Sequence, residues 1–429
     1  MAVSVRPTTE AAPLGLSPFE EHESEVRLYC RKFPVVFTEA RGAWAYSEDG
    51  RAFLDFFCGA GALNYGHNPA DLKARLVEYV SRDGIAHGLD MHTTAKREFL
   101  ERLHEVVLEP RRMRHKVQFC GPTGTDAVEA ALKLARRATG RQTVVAFTGA
   151  FHGMSRGSLH VTGSRRARAA GSVPLQDVLF VPYEAGPAGA FDSIGYLERL
   201  LGDPASGIDV PAAVIVEPVQ VDGGIYPASA EWLRRLRAFT EAHGIVLICD
   251  EIQAGCGRTG PFFSFEPAGI VPDLVTVSKS ISGYGLPLSV LLIARELDVW
   301  EPGEHTGTFR GNQLAFVTGA AVLERWTEPE FLEHVTARSA QLGELAERAA
   351  AVDPGLVVRG RGMLAGIDTG AAGGASRAEA IQRHCFDAGL LVELCGRNDE
   401  VVKVMPPLTI GEEELERGLR ILLAGIEAT

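Results

Sequence analysis

Two charged side chains that follow apolar segments could do chemistry together. Asp250 follows the apolar run at 245–249, and Lys279 follows a second apolar run at 274–277 and opens a turn rich in serine and glycine. A lysine amine that is shielded from water can act as a nucleophile and hold an aldehyde cofactor as a Schiff base. A carboxylate at the end of a buried strand is costly unless a cation pairs with it.

The two residues together indicate one cofactor. Taken alone, Lys279 could be a solvated lysine in a polar loop. A protonated pyridine nitrogen is a cation that suits Asp250, and the carboxylate would keep the ring an electron sink for a carbanion. We therefore predict pyridoxal 5'-phosphate as the cofactor, with Lys279 and Asp250 as the catalytic residues.

A run of small residues before a predicted helix could bind a phosphate group. Residues 121–126 have the sequence GPTGTD and lead into a helix predicted over 126–139. The free backbone N–H groups and the dipole of a helix N-terminus favour an anion there. Capping of the helix by Thr125 or Asp126 is the alternative. Beside Lys279 and Asp250, we favour the phosphate.

Three more loops after apolar strands carry candidate residues. Phe151 could lie flat against a cofactor ring or simply pack, and the neighbouring His152 could form only a local hydrogen bond. Glu217 ends a strand and could be structural, whereas Asp222 lies in a loop with glycines and is a candidate for substrate contact. Gln253 could donate a hydrogen bond to a ring oxygen.

A fourth loop, at 306–312, has the sequence TGTFRGN. Its hydroxyl and amide groups, including those of Thr308, offer a second contact with phosphate. The alternative is an ordinary turn before a helix.

The composition excludes several classes of partner. The chain has 429 residues and a net charge of -12, so it lacks the basic surplus that binding to nucleic acid or an anionic membrane requires. Its seven cysteines show no paired C-x-x-C spacing, so we expect neither a metal site nor disulfides. No apolar run reaches the about 18 to 20 residues that span a bilayer. We expect a cytoplasmic protein with small-molecule substrates.

Helices and strands alternate along most of the chain, which predicts an α/β fold with a mostly parallel sheet covered by helices on both faces. A turn at 48–51 predicts an antiparallel hairpin before this region. The pattern predicts helices over 126–139, 230–243 and 331–351, and strands at 143–147, 212–216, 245–249 and 273–278.

We divide the chain into four parts. A loose arm covers residues 1–20, and residues 21–75 contribute to a small α+β domain. The large cofactor-binding domain covers 76–315, and the rest of the small domain covers 316–429.

The motifs resemble those of the class III, or omega-amino acid, pyridoxal-phosphate-dependent aminotransferases of fold type I, and they occur in the same order. Within the family the chain looks most like the diaminobutyrate:2-oxoglutarate aminotransferases of ectoine and siderophore pathways, through segments 56–68, 89–91, 262–266 and 300–305. The family motifs are TGT at 123–125, FHG at 151–153, EPVQ at 217–220, DEIQ at 250–253, GRTG at 257–260, SK at 278–279 and TFRGN at 308–312.

The resemblance implies a large domain around a mostly parallel seven-stranded sheet, a smaller α+β domain, and a set of residue roles. It also implies a homodimer with shared active sites, and two such dimers could join into a tetramer. By resemblance, Lys279 forms the Schiff base and shuttles the proton between the substrate α-carbon and the cofactor C4', and Asp250 pairs with the pyridine nitrogen. Gln253 contacts the ring hydroxyl, Phe151 stacks on the ring, and His152 and Glu217 complete the cofactor site. Gly124 and Thr125 hold the phosphate, and Thr308 reaches the phosphate of the neighbouring subunit.

Two positions depart from the family pattern. Relatives commonly have Gly-Glu where this chain has Val221 and Asp222, and that glutamate gates an arginine between the amine donor and the keto-acid acceptor. Many relatives have an arginine at the position of Lys403 that clamps a carboxylate with a two-pronged contact, whereas lysine offers a point charge. We predict that Asp222 and Lys403 contact the substrate.

The resemblance favours transfer of the terminal amine of L-2,4-diaminobutyrate, or of a similar diamino or omega-amino acid, to 2-oxoglutarate. The alternative keeps the cofactor and uses the same carbanion chemistry for epimerisation or for elimination or replacement of a γ-substituent, which the Val221-Asp222 pair would favour. A non-enzymatic regulator with this fold would require an added DNA-binding segment. The N-terminal arm is too short for such a segment and is not basic.

Overall fold

The computed structural model describes residues 16–169, 177–187 and 189–429, so the first fifteen residues of the predicted N-terminal arm lie outside the described part. The strands are β1 (Phe37–Arg41), β2 (Trp44–Ser47), β3 (Ala52–Asp55), β4 (His115–Phe119), β5 (Val144–Phe147), β6 (Val178–Val181), β7 (Ala213–Val216), β8 (Val219–Gln220), β9 (Tyr226–Pro227), β10 (Val246–Asp250), β11 (Leu274–Val277), β12 (Val290–Ala294), β13 (Val357–Gly360), β14 (Ala365–Asp368), β15 (Leu390–Leu391), β16 (Glu393–Cys395) and β17 (Val401–Val404).

Short and long helices connect these strands, and a 3-10 turn at Lys279–Ser282 follows β11. The α-helices are α1 (Ser17–His22), α2 (Tyr29–Lys32), α3 (Cys58–Gly61), α4 (Ala70–Ser81), α5 (Thr94–Arg102), α6 (Gly124–Thr139), α7 (Arg156–Val161), α8 (Arg165–Ala169), α9 (Ser193–Gly202), α10 (Ala230–His243), α11 (Gln313–Glu324), α12 (Pro329–Gly343), α13 (Leu345–Val352), α14 (Gly374–Asp387) and α15 (Glu412–Glu427).

The central sheet has seven strands in the order β4-β12-β11-β10-β7-β5-β6. β12 is antiparallel to both of its neighbours, whereas every other neighbouring pair is parallel. Every residue of β5, β7, β10 and β11 is buried. Strands that are covered by helices on both faces have continuous apolar sequences, because neither face meets water. The predicted α/β fold with a mostly parallel sheet is confirmed.

The helices around the sheet begin and end where their sequences provide caps. The hydroxyl of Ser229 accepts a hydrogen bond from Trp232 N at the start of α10, and Gly244 ends that helix with a left-handed φ of 58°. The single helix predicted over 331–351 is wrong, because α12 ends at Gly343 and α13 begins at Leu345. Glycine is a poor residue for a helix interior, which accounts for the break.

A smaller part of the molecule combines elements from both ends of the chain. The predicted hairpin is confirmed as β2 and β3, and β15 pairs in parallel with β3. A second four-stranded sheet has the order β13-β14-β17-β16. Leu54, Leu390 and Leu419 are buried in one apolar cluster that lies apart from the cores of the central sheet.

Arg258 joins three distant stretches of chain and is fully buried. Its Nη1 donates to the carbonyl oxygens of Met363, at 2.8 Å, and Pro406, at 2.6 Å. Its Nη2 donates to Asn64 Oδ1 at 2.6 Å. Burial lowers the pKa of Arg258. The guanidinium fixes the loop after β10 against both terminal segments.

Among the described residues, no helix is both long and apolar enough to cross a membrane. The same residues contain no group of three or more histidine, cysteine, aspartate or glutamate side chains placed to hold a metal ion.

Candidate active site

The C-terminal ends of five strands of the central sheet lie at one edge and carry most of the candidate residues. β4 is antiparallel to β12 and β12 is antiparallel to β11, so β4 runs in the same direction as the parallel strands. Ligands bind at this edge of open α/β sheets. Gly124 and Thr125 follow β4, Phe151 and His152 follow β5, Glu217 follows β7, Asp250 ends β10, and Lys279 follows β11.

Lys279 lies in the turn after β11, with a left-handed φ of 52°. Such a backbone conformation is strained for a residue with a side chain and persists when its surroundings enforce it. Burial lowers the pKa of Lys279; Asp222 opposes this shift, and the positive charge of Lys403 adds to it. The amine is therefore neutral, and nucleophilic, at a lower pH than that of an exposed lysine.

Asp250 is a buried carboxylate with three hydrogen-bond contacts. Its Oδ1 accepts from Thr276 Oγ1 at 2.9 Å and from Ile252 N at 3.1 Å, and its Oδ2 lies 2.7 Å from His152 Nδ1. An ionised carboxylate offers about four acceptor positions, so one is left for a further donor. Asp250 can accept from one more group without losing these contacts.

His152 is buried behind Asp250. Its backbone N–H donates to Thr162 Oγ1 at 3.0 Å, and its Nδ1 faces the Asp250 carboxylate. Within the described part of the chain, its Nε2 has no hydrogen-bond partner. The histidine contact fixes the direction of the Asp250 side chain.

Glu217 contacts the backbone of the loop that contains Phe151. Its Oε2 accepts a hydrogen bond from Phe151 N at 2.9 Å. Burial, with Asp250 as a second cause, raises the pKa of Glu217 well above its usual value. A buried carboxylate near another negative charge ionises less readily, so Glu217 favours its neutral form. The Phe151 side chain is half-buried.

The start of α6 is capped by a residue that precedes both candidate phosphate ligands. Thr123 and Asp126 form a reciprocal capping box, in which Thr123 N donates to Asp126 Oδ2 at 3.2 Å. Of the two residues considered as caps, Asp126 takes part and Thr125 does not. This cap leaves the N–H groups of the first helical turn directed out of the helix end, as an anion site requires.

Gly124 and Thr125 are the first two residues of α6. A Cβ atom on Gly124 would lie only 2.9 Å from Ile252 Cδ1, so glycine is needed where the helix meets this side chain. Thr125 Oγ1 lies 2.7 Å from Ser155 Oγ and 2.5 Å from Ser158 Oγ. Three hydroxyl groups therefore gather at the helix N-terminus.

Lys403 is fully buried between two carboxylates. Its Nζ lies 2.7 Å from Asp222 Oδ1 and 2.8 Å from Glu393 Oε2. Burial alone would lower the pKa of Lys403, but Asp222 and Glu393 outweigh it and raise the pKa well above its usual value. Burial would likewise raise the pKa of Asp222, but Lys403 and Lys279 lower it below its usual value. Asp222, Lys403 and Glu393 form an ion triplet, in which these shifts favour the charged forms of Asp222 and Lys403.

Gln253 connects the ion triplet to the residues around Lys279. Its Nε2 donates to Ala60 O at 3.1 Å, and the Gln253 side chain contributes to the lowered pKa of Asp222. A Cβ on Gly61 would lie 3.5 Å from Gln253 Cγ and 3.7 Å from Lys279 Cδ. The absence of a side chain at Gly61 keeps space open between the lysine and the amide.

Thr308 is the one candidate that the structure does not bring to this edge. It is exposed on the loop before α11. The neighbouring Phe309 side chain is 70% exposed, and its ring packs edge-on against His87 with 4.9 Å between ring centroids.

Glu393 and Ile252 were missed by the sequence analysis. Glu393 is the first residue of β16 and lies directly opposite Lys403 of β17 in the antiparallel pair. An acid inside the otherwise apolar run at 390–395 was the available signal. Ile252 lies between Asp250 and Gln253, which we did identify. Its own role could have been found only from its position against the N-terminus of α6.

Replacing Lys403 with methionine is expected to make Lys279 less reactive at neutral pH. The change removes a positive charge that lowers the pKa of Lys279 and leaves two acids that raise it, so the pKa should move upward. Competitive acetylation of the apoprotein across a pH series, with mass spectrometry of the Lys279 peptide, measures the midpoint. The circular dichroism spectrum controls for unfolding, and an unchanged or lower midpoint would contradict the charge argument.

Comparison with known proteins identifies the family. The sequence profile described as aminotransferase class-III matches residues 29–426. The chain is 53% identical to a diaminobutyrate–2-oxoglutarate transaminase of Streptomyces anulatus, over 97% of this chain and 99% of that protein. It is also 53% identical to the enzyme of that name from Nocardia farcinica, over 95% of this chain and 93% of the relative.

The fold has close counterparts among solved structures. An ornithine aminotransferase from Toxoplasma gondii, described with partial occupancy of pyridoxal phosphate at its active site, superposes with a TM-score of 0.83 at 22% identity, over 96% of this chain and 94% of that chain. This likeness confirms the predicted aminotransferase fold. Since the family profile covers nearly the whole chain and the relatives share half of its residues, the chain belongs to the class-III aminotransferases, which are pyridoxal-phosphate-dependent enzymes.

Proposed function

We propose that this enzyme transfers the terminal amino group of L-2,4-diaminobutyrate to 2-oxoglutarate, giving aspartate semialdehyde and glutamate. One observation carries the chemistry: the adjacent parallel strands β10 and β11 place a buried carboxylate, Asp250, and a half-buried amine of lowered pKa, Lys279, at the same edge. The choice of substrate is supported by two relatives that bear this transaminase name and share 53% of their residues with the chain.

The residues at this edge fit pyridoxal phosphate. Lys279 supplies the amine, and Asp250 has one acceptor position left for the protonated ring nitrogen. Gly124 and Thr125 supply the backbone N–H groups and hydroxyl of a helix N-terminus for the phosphate. Gly61 leaves room beside Lys279 that a side chain would fill.

Each residue has a separate task in the proposed reaction. When bound, the cofactor withdraws electrons from the carbon that bears the substrate amine. Lys279 Nζ takes the proton from that carbon, and its lowered pKa suits it to act as a base near neutral pH. Asp250 holds the proton of the ring nitrogen, and His152 orients Asp250. Phe151 would cover the ring, and Gln253 would contact its hydroxyl group.

Two substrates of different charge must use one pocket, and the pair Asp222–Lys403 provides for this. With the two groups in contact, as in this structure, the pocket presents no free cation. When they separate, Lys403 can bind a carboxylate of 2-oxoglutarate. This is the shorter, single-pronged form of the glutamate–arginine gate that the family resemblance implies.

We infer that the active enzyme is a homodimer. The support is the exposed loop with Thr308 and Phe309, which has no role in the site of its own chain and would supply Thr308 to the phosphate of the other subunit. Placement of the enzyme in the cytoplasm stays a prediction.

Transamination is tested by incubating the holoenzyme with diaminobutyrate and 2-oxoglutarate and measuring glutamate by mass spectrometry. We expect glutamate to form in proportion to the diaminobutyrate consumed, and to be absent when either substrate is left out. Exchange of the substrate α-proton with solvent deuterium, without glutamate from any amine donor, would support the epimerase or elimination chemistry instead and overturn the proposal.

A further inference from the structure

The loop that carries Asp222 is held by the four-stranded sheet β13-β14-β17-β16, here called the C-terminal sheet. Residues 221–225 form this loop and connect β8 to β9. The backbone oxygen of Asp222 accepts a hydrogen bond at 3.0 Å from the N–H of Gly396, in the turn after β16. The Asp222 side chain contacts Lys403 of β17. Both partners of Asp222 therefore belong to the C-terminal sheet or to its turns.

Arg359 of β13 makes a third contact between the C-terminal sheet and the loop. Its Nη2 donates to Gly224 O at 2.8 Å, and its Nε donates to Gly224 O and Ile225 O, each at 3.3 Å. Its Nη1 donates to Asp368 Oδ2 of β14 at 2.8 Å. The guanidinium carbon lies 4.2 Å from the centroid of the Tyr226 ring. The planar set of donors on arginine thus joins two loop carbonyl groups to an acid of the sheet.

Ile225 has a backbone conformation that a β-branched residue rarely adopts. Its φ is 57°, in the left-handed region, and its side chain is fully buried. Such a conformation persists only where the surroundings enforce it. A Cβ on Gly366, which lies opposite Arg359 in the pairing of β13 with β14, would be 2.7 Å from Ile225 Cδ1. The close packing on Gly366 and the guanidinium at the carbonyl oxygen together enforce the conformation of Ile225.

The other side of the loop packs on the segment that leads to Phe151. A Cβ on Gly223 would lie 2.5 Å from Gly149 O, so only glycine fits at this close approach. The loop therefore lies between the candidate ring site and the C-terminal sheet. A change in its backbone conformation would displace Asp222.

The position of Asp222 matters for the reacting amine. Burial lowers the pKa of Lys279, and among the charged groups that act on this amine, Asp222 has the largest effect and raises the pKa. The other charged groups are Lys403, which lowers the pKa, and Glu393 and Asp250, which raise it. If Asp222 withdrew from the site, the pKa of Lys279 would therefore fall.

We propose that Arg359 is a positioning residue that keeps Asp222 paired with Lys403 near the amine of Lys279. Arg359 acts through the loop backbone, because its hydrogen bonds go to the carbonyl oxygens of residues 224 and 225. All three contacts of the loop come from one side, so Asp222 keeps its place relative to the C-terminal sheet and not only to the strand before it. The inference rests on the proposed role of Lys279 as the amine that holds the cofactor, and it applies to any amine donor.

Arg359→Met is expected to move the acetylation midpoint of Lys279 in the apoprotein to lower pH. Methionine retains an apolar stem but leaves the carbonyl oxygens of residues 224 and 225 without their donor, so Ile225 relaxes and Asp222 withdraws. Competitive acetylation across a pH series, with mass spectrometry of the Lys279 peptide, measures the midpoint, and the circular dichroism spectrum controls for unfolding.

The direction of this shift separates the inference from two simpler effects. Direct loss of the positive charge of Arg359 would move the midpoint of Lys279 to higher pH, and so would a general exposure of the site to water. Only the withdrawal of Asp222 moves it to lower pH. An unchanged or higher midpoint in the folded Arg359→Met protein overturns the inference.

Asp368→Asn is the matched control. It removes the ion pair of Arg359 but leaves the bonds to the loop, and asparagine keeps the oxygen that accepts from Gly370 N at 2.7 Å. Its midpoint should equal that of wild type, and a shift as large as that of Arg359→Met would contradict the role of the loop contacts. Arg359→Lys keeps the charge but cannot reach all three acceptors, so it should give a smaller downward shift. It provides the same test if the methionine variant does not fold.

Measurements on the holoenzyme separate this inference from the proposed function. Arg359→Met should lower kcat/KM for the amine donor by about 10- to 100-fold, because a small displacement of a group near the reacting atoms is costly. Arg420→Met, at an exposed position of α15, should change neither the rate nor the midpoint. If wild type lacks the absorbance band of the lysine–cofactor Schiff base while Arg359→Met still lowers the midpoint of the apoprotein, the proposed role of Lys279 fails and that of Arg359 stands.

Discussion

Replacing Lys279 with alanine is expected to lower kcat/KM for the amine donor by about 10,000-fold, the full range of a lost general base. The variant should also lack the absorbance band of the lysine–cofactor Schiff base. The physical reason is that the turn after β11 presents a half-buried amine of lowered pKa, and alanine leaves no group there to move a proton. Rates with saturating amine donor and the visible spectrum of the purified protein measure both effects.

The control for Lys279→Ala is Lys73→Ala, which removes an exposed lysine of α4. It should keep the absorbance band and the wild-type rate. A Lys279→Ala protein with an unchanged band and rate would show that another amine holds the cofactor, and would refute the assignment of this site.

Replacing Asp250 with asparagine is expected to lower kcat/KM by about 1,000-fold. An amide cannot stabilise the proton on a ring nitrogen, and it also weakens the contact with His152 at 2.7 Å. Asparagine keeps an oxygen that can accept from Thr276 and Ile252, so the fold should survive. Steady-state rates, together with the pH dependence of the cofactor spectrum, measure the loss.

Asp250→Glu is the matched variant, because it retains the charge but moves it by one methylene. It should recover part of the activity that Asp250→Asn loses. If asparagine costs less than about tenfold, the ring nitrogen does not depend on a negative charge at the end of β10, and the assignment of Asp250 would be wrong.

The sequence revealed residues whose position follows from one local pattern. Asp250 and Lys279 were found because each ends or follows an apolar run, and adjacent parallel strands bring such ends together. The same pattern predicted β7, β10 and β11 to within one or two residues. The start of α6 was visible from the small residues that precede it, although the cap itself is Thr123 with Asp126.

Contacts that depend on pairing between distant strands could not be predicted in this way. Glu393 lies opposite Lys403 only because β16 and β17 pair in one register, and a shift by one residue would place the acid on the other face of the sheet. The antiparallel direction of β12 is likewise absent from its sequence, because a buried apolar strand has the same composition in either direction. Lys403 was therefore predicted as a substrate contact, without the second acid that holds it.

The buried guanidinium of Arg258 has a consequence for how this enzyme unfolds. Because one charged side chain bonds to Asn64, Met363 and Pro406, detaching any one of these segments leaves hydrogen bonds of a desolvated cation unmade. Partial opening at either chain end is therefore penalised as strongly as a broken core contact. The terminal segments and the loop after β10 should unfold together as one cooperative unit, not in succession.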